Sequence, residues 1–507
     1  LSAYNEIWSR LEWLVKLVIP DEDRQRYLLT LLSIKFQHES ASRVLLPSRL
    51  EKRLVGIFTT ISEIPRPLAG GQALDNQRAD DFLNSPQFHE LYNSMEGMEL
   101  SKAESLDDVD LHLHLLRLKR LLLLSSVRDI WREEMVPGTE YLRSILDSAI
   151  DSPDWQWLHD WLRKVLLGES RPYILWIGGR SGEIIFDLAI IQLLIKMGVR
   201  VILAVKQSFV YKRISFSDTL EDPVLERLLA KADFIGEPRI SKNELLRRMH
   251  KESKLLIVSD GTGEQFNPLL TSVTFARAFK ECDLVVSRCP ASRVCLGNHF
   301  QFTRDFLSIV TEGPGKIDVF RKPQHPAVIR FAEHMLREKA ESLIIMAKKN
   351  KEKGKVIMFY SAIVGSIPGQ LETAKKILNV FIKHLRATLP GVVMINPGEH
   401  FEEGMDADDI MYMWEIFQRS GMIDLWRFQT VEDIEKSFEL MGESVPLEWT
   451  GKDATFSTGC TKEMEIAMDM QKKNPEMQLI GPSWEKFLRR KEYGVGKLFD
   501  RTLAEYA

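Results

Sequence analysis

Cysteine is scarce: Cys282, Cys289, Cys295 and Cys460 are the only four in 507 residues. So few thiols over such a length argue against a disulfide framework and fit a reducing compartment, the cytoplasm. The first three lie seven and then six positions apart. They lack the tight Cys-x-x-Cys pair of zinc and iron–sulfur sites and read as buried thiols. Long apolar runs are also missing. No stretch approaches the roughly 18 uninterrupted apolar residues of a membrane-spanning helix. The N-terminal segment scatters charges among its apolar residues, as an amphipathic helix does and a signal peptide does not. Net charge is slight, 68 Lys and Arg against 72 Asp and Glu, or −4. This balance offers no general attraction for nucleic acid or for an anionic membrane. What is present is a 44% apolar, 28% charged composition, that of a globular protein able to bury large cores. The length suggests roughly three domains of ordinary size.

Residues 1–150 read as helical. Trp8, Leu11, Val15 and Val18 recur at helical spacing, and Leu111–Ser126 gives a leucine-rich core helix. Pro20, Pro47, Pro65 and Pro67 mark breaks, and the Pro- and Gly-rich segment Ile64–Asn76 reads as a loop. His112 and His114 are two apart, point to different helix faces and make a poor metal pair.

From 151 to 330 strands and helices alternate. The strands are Tyr173–Ile177, Val199–Val205, Leu255–Ser259 and Leu284–Ser287. Helices are expected over Glu183–Met197, Pro223–Ala232, Lys242–Lys251 and Leu270–Phe279. Such alternation predicts an α/β domain with a mostly parallel sheet covered on both faces. The lysine-rich run at 348–355 reads as a solvated link between domains. A second α/β series fills 355–490, with strands at Lys355–Val364, Val392–Ile395 and Ile423–Phe428. Its helices are Gln370–Leu385, Ala407–Arg419 and Val431–Met441, and it closes with Ala454–Ser457, Thr461–Lys473 and Met477–Ile480.

The chemistry concentrates between Tyr173 and Asp222. The first strand of the core breaks at Gly178-Gly179-Arg180-Ser181-Gly182, a helix opens at Glu183, and a second strand leads to Lys206, Lys212 and Arg213. Loops after the strands of a βαβ unit are where α/β proteins place ligands. The Gly-Gly-x-x-Gly spacing is not that of the dinucleotide fingerprint.

Residues 173–292 resemble the damage-control phosphatase family (domain of unknown function 89, which includes acidic-residue methyltransferase-like proteins). In that family the first strand ends in Asp-Asn, a small residue, Gly and Glu, and a helix with an internal Phe-Asp-Leu follows. Here the matching residues are Gly179-Arg180-Ser181-Gly182-Glu183 and Phe186-Asp187-Leu188. The family's Val-Lys-Gly-x-Pro, Asn-Asp and acidic segment correspond to Val205-Lys206-Gln207-Ser208-Phe209, Lys212-Arg213 and Thr219-Leu220-Glu221-Asp222. Its later Ala-Asp-Leu-Val-Ile-Ser-Lys-Gly-x-Gly-Asn corresponds to the run from Cys282 to Ser292.

The resemblance implies a helical N-terminal domain, a Rossmann-like core and a phosphatase using a divalent metal such as Mn, Co, Ni or Mg. The family's metal-holding positions are here Gly179, Arg180 and Arg213, none of which offers a side-chain oxygen. An Arg about 6 Å from a dication repels it by roughly 5 kcal/mol at an effective dielectric near 20. The sequence therefore predicts no metal and no other cofactor. It predicts instead an anion site of Gly179, Arg180, Ser181, Gly182, Glu183, Lys206, Lys212, Arg213 and Arg288. Turn amides and the helix N-terminus would add to the cations. The ligand would be an anionic, phosphorylated small molecule, bound for metal-independent chemistry or for regulation.

Two other readings stay open. One is a non-catalytic interaction subunit, with a protein partner or an oligomer. The other is a metal-dependent phosphatase with displaced ligands, for which Asp218 and Asp260 are the candidate catalytic acids. The acidic loop around Glu399 and His400 reads as a solvated helix start, and Ser457-Thr458-Gly459 as an ordinary loop before a helix.

Overall fold

The leucine periodicity of the first 150 residues folds as expected, into helices. The computed structural model describes residues 2–41, 46–96, 106–168, 171–297, 304–327, 329–400 and 402–488. Within them the chain divides into two compact units, 1–325 and 326–496.

In the first unit, helices Ser2–Val18, Glu22–Ala41 and Pro47–Ser62 close around a small core of their own that includes Leu14, Leu28, Leu32 and Phe58. Helix Leu106–Leu124 buries Leu118, Leu121 and Leu122 in the main core beside strand residues Ile174 and Trp176. The expected core helix is therefore a core helix.

Seven strands follow: β1 Tyr173–Ile177, β2 Arg200–Val205, β3 Asp233–Ile235, β4 Leu255–Ser259, β5 Leu284–Ser287, β6 Asp305–Gly313 and β7 Lys316–Lys322. They form one sheet in the order β3-β4-β2-β1-β5-β6-β7, parallel except for the β6–β7 pair. The unbroken apolar runs of β1, β2 and β5 suit the centre of a parallel sheet, where both faces are covered. Ile174, Leu175, Ile202 and Val285 are all at most 1% exposed.

Four local expectations change. Ile64–Asn76 is not a loop throughout, because helix Ala69–Leu83 begins inside it. Its Gly70 and Gly71 carry little helix propensity, but the helix is held by tertiary bonds from buried Gln72, Asp75 and Asn76. The β6–β7 hairpin was not visible in the strand–helix alternation, since two antiparallel strands with charges at their ends break that pattern. The lysine-rich run at 348–355 forms the C-terminal end of helix Glu333–Lys351 and the turn after it. Lysines favour that end of a helix dipole, which is why the run closes a helix. Ala454–Phe456 is a 3-10 turn capped by Asp453.

The second unit holds β8 Val356–Ser361, β9 Val392–Ile395, β10 Leu425–Phe428 and β11 Gln478–Ile480, all parallel, in the order β11-β10-β8-β9. Helices Leu371–Thr388, Ala407–Gln418, Val431–Met441 and Thr458–Lys473 connect and flank them. The chain is thus α/β, with two separate mainly parallel sheets. The acids around residue 400 are used locally: Glu399 pairs with Arg386 at 2.8 Å, and Asp406 and Asp409 form a capping box.

One carboxyl in this unit has a consequence for stability. Glu463 is buried beneath the sheet and accepts from Gln418 Nε2 at 3.0 Å. Burial raises its pKa to about 7, against the opposing hydrogen bonds from Ser361 and Gln418. In the unfolded chain the proton leaves near the ordinary glutamate value, so between about pH 4.5 and 7 the unfolded state binds fewer protons. Stability from this group is complete below that window and is lost as pH rises through 7. Glu463→Gln is expected to remove the slope, stabilising the protein at pH 8 by on the order of 3 kcal/mol. Thermal melts at pH 5 and pH 8 measure it.

Candidate functional site

Strand order in the first unit reverses at β1, which has β2 on one side and β5 on the other. Loops beyond the C-terminal ends of such strands bound a crevice. Here the crevice is a cavity lined by Arg128, Trp131, Arg132, Arg180, Ser181, Glu183, Lys212, Arg213, Arg288, Pro290, Val310 and Thr311. Its volume is about 50 Å³, and a single water needs roughly 10–15 Å³, so it admits about four water-sized atoms. That is the size of one tetrahedral oxyanion.

The glycine turn shapes this cavity without offering its amides to it. Gly178 N–H donates to the Ala204 carbonyl at 3.1 Å, and Ser181 N–H to the Lys212 carbonyl at 2.9 Å. Gly179 N–H donates to Asp187 Oδ2 at 2.9 Å, Arg180 N–H to Glu183 Oε2 at 3.3 Å and Gly182 N–H to Asn76 Oδ1 at 2.7 Å. Every amide of the turn is thus taken by the protein. The expected role of the Gly179 and Gly182 amides as anion donors is corrected accordingly. Sequence patterning hides this because Asn76 lies about 100 residues upstream.

Gly182 has another task. It adopts φ +75°, and a Cβ there would meet Trp131 Cδ1 at 2.1 Å. Gly182→Ala is expected to displace Trp131 from the cavity wall and to cost about 2–5 kcal/mol by adding backbone strain to overpacking. A denaturant titration reads the loss.

The side chains carry the charge. Arg213 Nη1 donates to the Gly178 carbonyl at 3.3 Å, and Nη2 lies 2.7 Å from Cys289 Sγ. Lys212 Nζ pairs with Asp75 Oδ2 at 2.9 Å, and the same oxygen accepts Ser181 Oγ at 2.7 Å. Arg288 is 2% exposed. Its Nε meets Asp187 Oδ1 at 3.1 Å, while Nη2 meets Ser125 Oγ at 2.7 Å and Glu183 Oε1 at 3.3 Å. Its remaining Nη1 is buried with no partner, as is Thr311 Oγ1. A buried donor left unmade costs about 1–3 kcal/mol, more when charged. Two of them belong to residues of one cavity wall. Arg128, Arg132 and Arg180 make no side-chain hydrogen bond or ion pair among the described residues.

Six cations therefore face one carboxylate, Glu183, which is already paired with Arg288. The crowding shows in the titration of Arg180. Burial, then the charges of Arg213 and Arg128, pull its pKa below the ordinary guanidinium value, against Glu183 and Cys289. Burial raises the Asp187 carboxyl to about 7, with Arg288 opposing and Glu183 reinforcing.

Three expected residues do not join the site. Lys206 is bound to Asp260 Oδ2 at 2.6 Å and to Thr262 Oγ1 at 3.1 Å, away from the cavity lining. That bond, with the Thr262 N–H at 2.8 Å, also occupies Asp260, so it is not a free base. Asp218 is buried, accepts from Ser215 N–H and Oγ at 2.8 and 2.7 Å, and pairs with Arg66. It ties a loop together. Arg128, Arg132 and Thr311 are additions that sequence reading missed. The available signal was the pair of arginines four apart in Val127-Arg128-Asp129-Ile130-Trp131-Arg132, which places both on one face of a turn.

A divalent metal does not suit this donor set. A hard cation takes six or more oxygens from carboxylates, carbonyls and water. The cavity offers one carboxylate amid six cations. Among the described residues no three His, Cys, Asp or Glu side chains gather as metal ligands do.

No known family model matches the sequence, and no curated protein matches it. Among solved structures, the chain is similar to the crystal structure of a DUF89 family protein from Pyrococcus horikoshii. The identity is 16%, the match covers 61% of this chain and 90% of that one, and the TM-score is 0.41. No helix among the described residues is long and apolar enough to cross a membrane.

Proposed function

We propose that the first unit is a phosphatase-like domain that binds the oxyanion of a small, phosphorylated molecule without a metal. The observation that carries this is the cavity itself: six cations, one committed carboxylate, and the buried, unpartnered Nη1 of Arg288. A phosphate group would accept from Arg288 Nη1 and Thr311 Oγ1 at the base. Arg180 and Arg213 would hold it in the fork geometry that guanidinium groups give oxyanions. Lys212, Arg128 and Arg132 supply field at the mouth, raising the local concentration of anions. The volume sets the selectivity: one phosphate or sulfate group fits, and the remainder of the ligand lies outside.

Calorimetric titration with inorganic phosphate and with sulfate, in the presence of a chelator, tests the reading. Saturable binding that weakens as salt is raised is the expected result. Absence of saturable binding at millimolar phosphate overturns it and favours an interaction subunit. Binding that needs an added divalent metal returns the site to the metal-dependent phosphatase class.

A further inference from the structure

Three of the four thiols behave as small apolar residues with a weak donor. Cys282 Sγ points to the Phe279 carbonyl at 3.1 Å, Cys295 Sγ to the Phe266 carbonyl at 3.5 Å and Cys460 Sγ to the Ala362 carbonyl at 3.4 Å. Cys289 is different. It leaves β5 directly after Arg288, and its sulfur accepts from a guanidinium, Arg213 Nη2, at 2.7 Å. That arginine lines the cationic cavity, as do Cys289's two chain neighbours, Arg288 and Pro290. Around the sulfur stand Arg213 and Lys206 from the segment after β2, Arg180 from the turn after β1, and the Cys295 thiol. Lys206 is shared with Asp260, so the direct positive contact on the sulfur is that of Arg213.

Burial alone pushes the Cys289 thiol up. The Arg213 charge, the Ser292 backbone and the Lys206 charge outweigh it, and the thiol ends below its ordinary value. Cys295, by contrast, is raised by burial and by Cys289 itself. Cationic surroundings are what turn a thiol into a reactive thiolate. A second feature points to a ligand at the same place, the buried unpartnered Nη1 of Arg288 in the adjoining wall.

We propose that Cys289 is a covalent modification site addressed through the cationic cavity, taking electrophiles that carry an anionic group in preference to neutral ones. The inference rests on the anion reading above. With a haloacetate, the thiolate sulfur supplies the electron pair for a new S–C bond. The carbon–iodine bond breaks with its pair leaving as iodide, and no oxidant or reductant is needed. Cys289 is 5% exposed, so entry by way of the cavity is part of the proposal, and an anion resting there should block the reaction.

The test is a competition on the full chain, read by peptide mass spectrometry with Cys282, Cys295 and Cys460 as internal controls. An ordinary thiolate reacts faster with neutral iodoacetamide than with anionic iodoacetate. At Cys289 the order is expected to invert, and inorganic phosphate should protect Cys289 and none of the other three. Arg213→Ala should slow the iodoacetate reaction several-fold, because it removes both the donor on the sulfur and a cation of the cavity wall. Cys295→Ser should leave it unchanged. Phosphate binding is measured calorimetrically on the same sample. If phosphate binds but Cys289 stays unmodified, or prefers iodoacetamide without protection, the thiol proposal is wrong and the anion site stands. If phosphate does not bind, the anion reading falls, and an inverted preference with no protection overturns the cavity route as well.

Discussion

Arg180→Ala should weaken phosphate binding ten- to a hundred-fold and leave thermal stability unchanged or slightly raised. A hydrogen bond to a charged group contributes about 1.5–3 kcal/mol, and each 1.4 kcal/mol is a factor of ten in affinity. The absence of a stability cost follows from what Arg180 lacks. It makes no side-chain hydrogen bond or ion pair among the described residues. The positive charges of Arg213 and Arg128 press on it. Removing it relieves repulsion in the free protein and deletes attraction only when an anion is present. Calorimetry with phosphate and a melting curve on the same variant separate the two. Weak binding together with a lower melting temperature would mean that Arg180 is structural and the anion reading is misplaced.

Arg288→Met is expected to do the reverse to the fold, destabilising the protein by about 3–5 kcal/mol, the usual cost of breaking a buried ion pair from one side. Arg288 neutralises Asp187, which is fully buried, and Glu183 at the cavity wall, and it donates to Ser125 from the helical region. Without it Asp187, raised to about 7 even beside Arg288, must hold a proton, and Glu183 loses its ion-pair partner. Asp187→Asn combined with Arg288→Met should recover part of the loss, because the amide keeps a side-chain oxygen that can accept the Gly179 N–H and needs no proton uptake to be neutral. Urea unfolding of the two single variants and the double variant closes the cycle. Additive losses would show that Arg288 and Asp187 act independently and that the pair does not organise the turn. The two arginines carry the same charge within one cavity, yet their opposite expected effects follow from burial and partners alone.

Much of the α/β core was legible along the chain. β1, β4 and β5 coincide with the expected strands residue for residue, because a central parallel strand is a short, uninterrupted apolar run bounded by turn residues. The helix after β1 was likewise anticipated to within one residue at its end. Where burial came from distant partners, the pattern failed. Helix Ala69–Leu83 looked like a loop since its sequence is rich in glycine and polar residues, and its polar residues turn out to be the ones that hold the site.

The site divides in the same way. Arg180, Ser181, Glu183, Lys212, Arg213 and Arg288 were all expected at one crevice, and all line it. They sit on loops after β1, β2 and β5, and parallel topology brings those loops together whatever else the protein does. Lys206 lies on a comparable loop but bonds Asp260, a choice set by a 2.6 Å contact across strands that spacing cannot reveal. Sequence by itself determined the α/β class, the order of the strands' loops and the presence of arginine and lysine at their tips, since each is a matter of local pattern and residue type. Only the tertiary structure decided which of those cations are occupied by internal carboxylates and which face the cavity. It did so by bringing Asp75 and Asn76, and also Arg128 and Arg132, from the helical region onto the turn after β1. A charge's role depends on its nearest counter-charge, and in this chain the nearest counter-charge is often a hundred residues away.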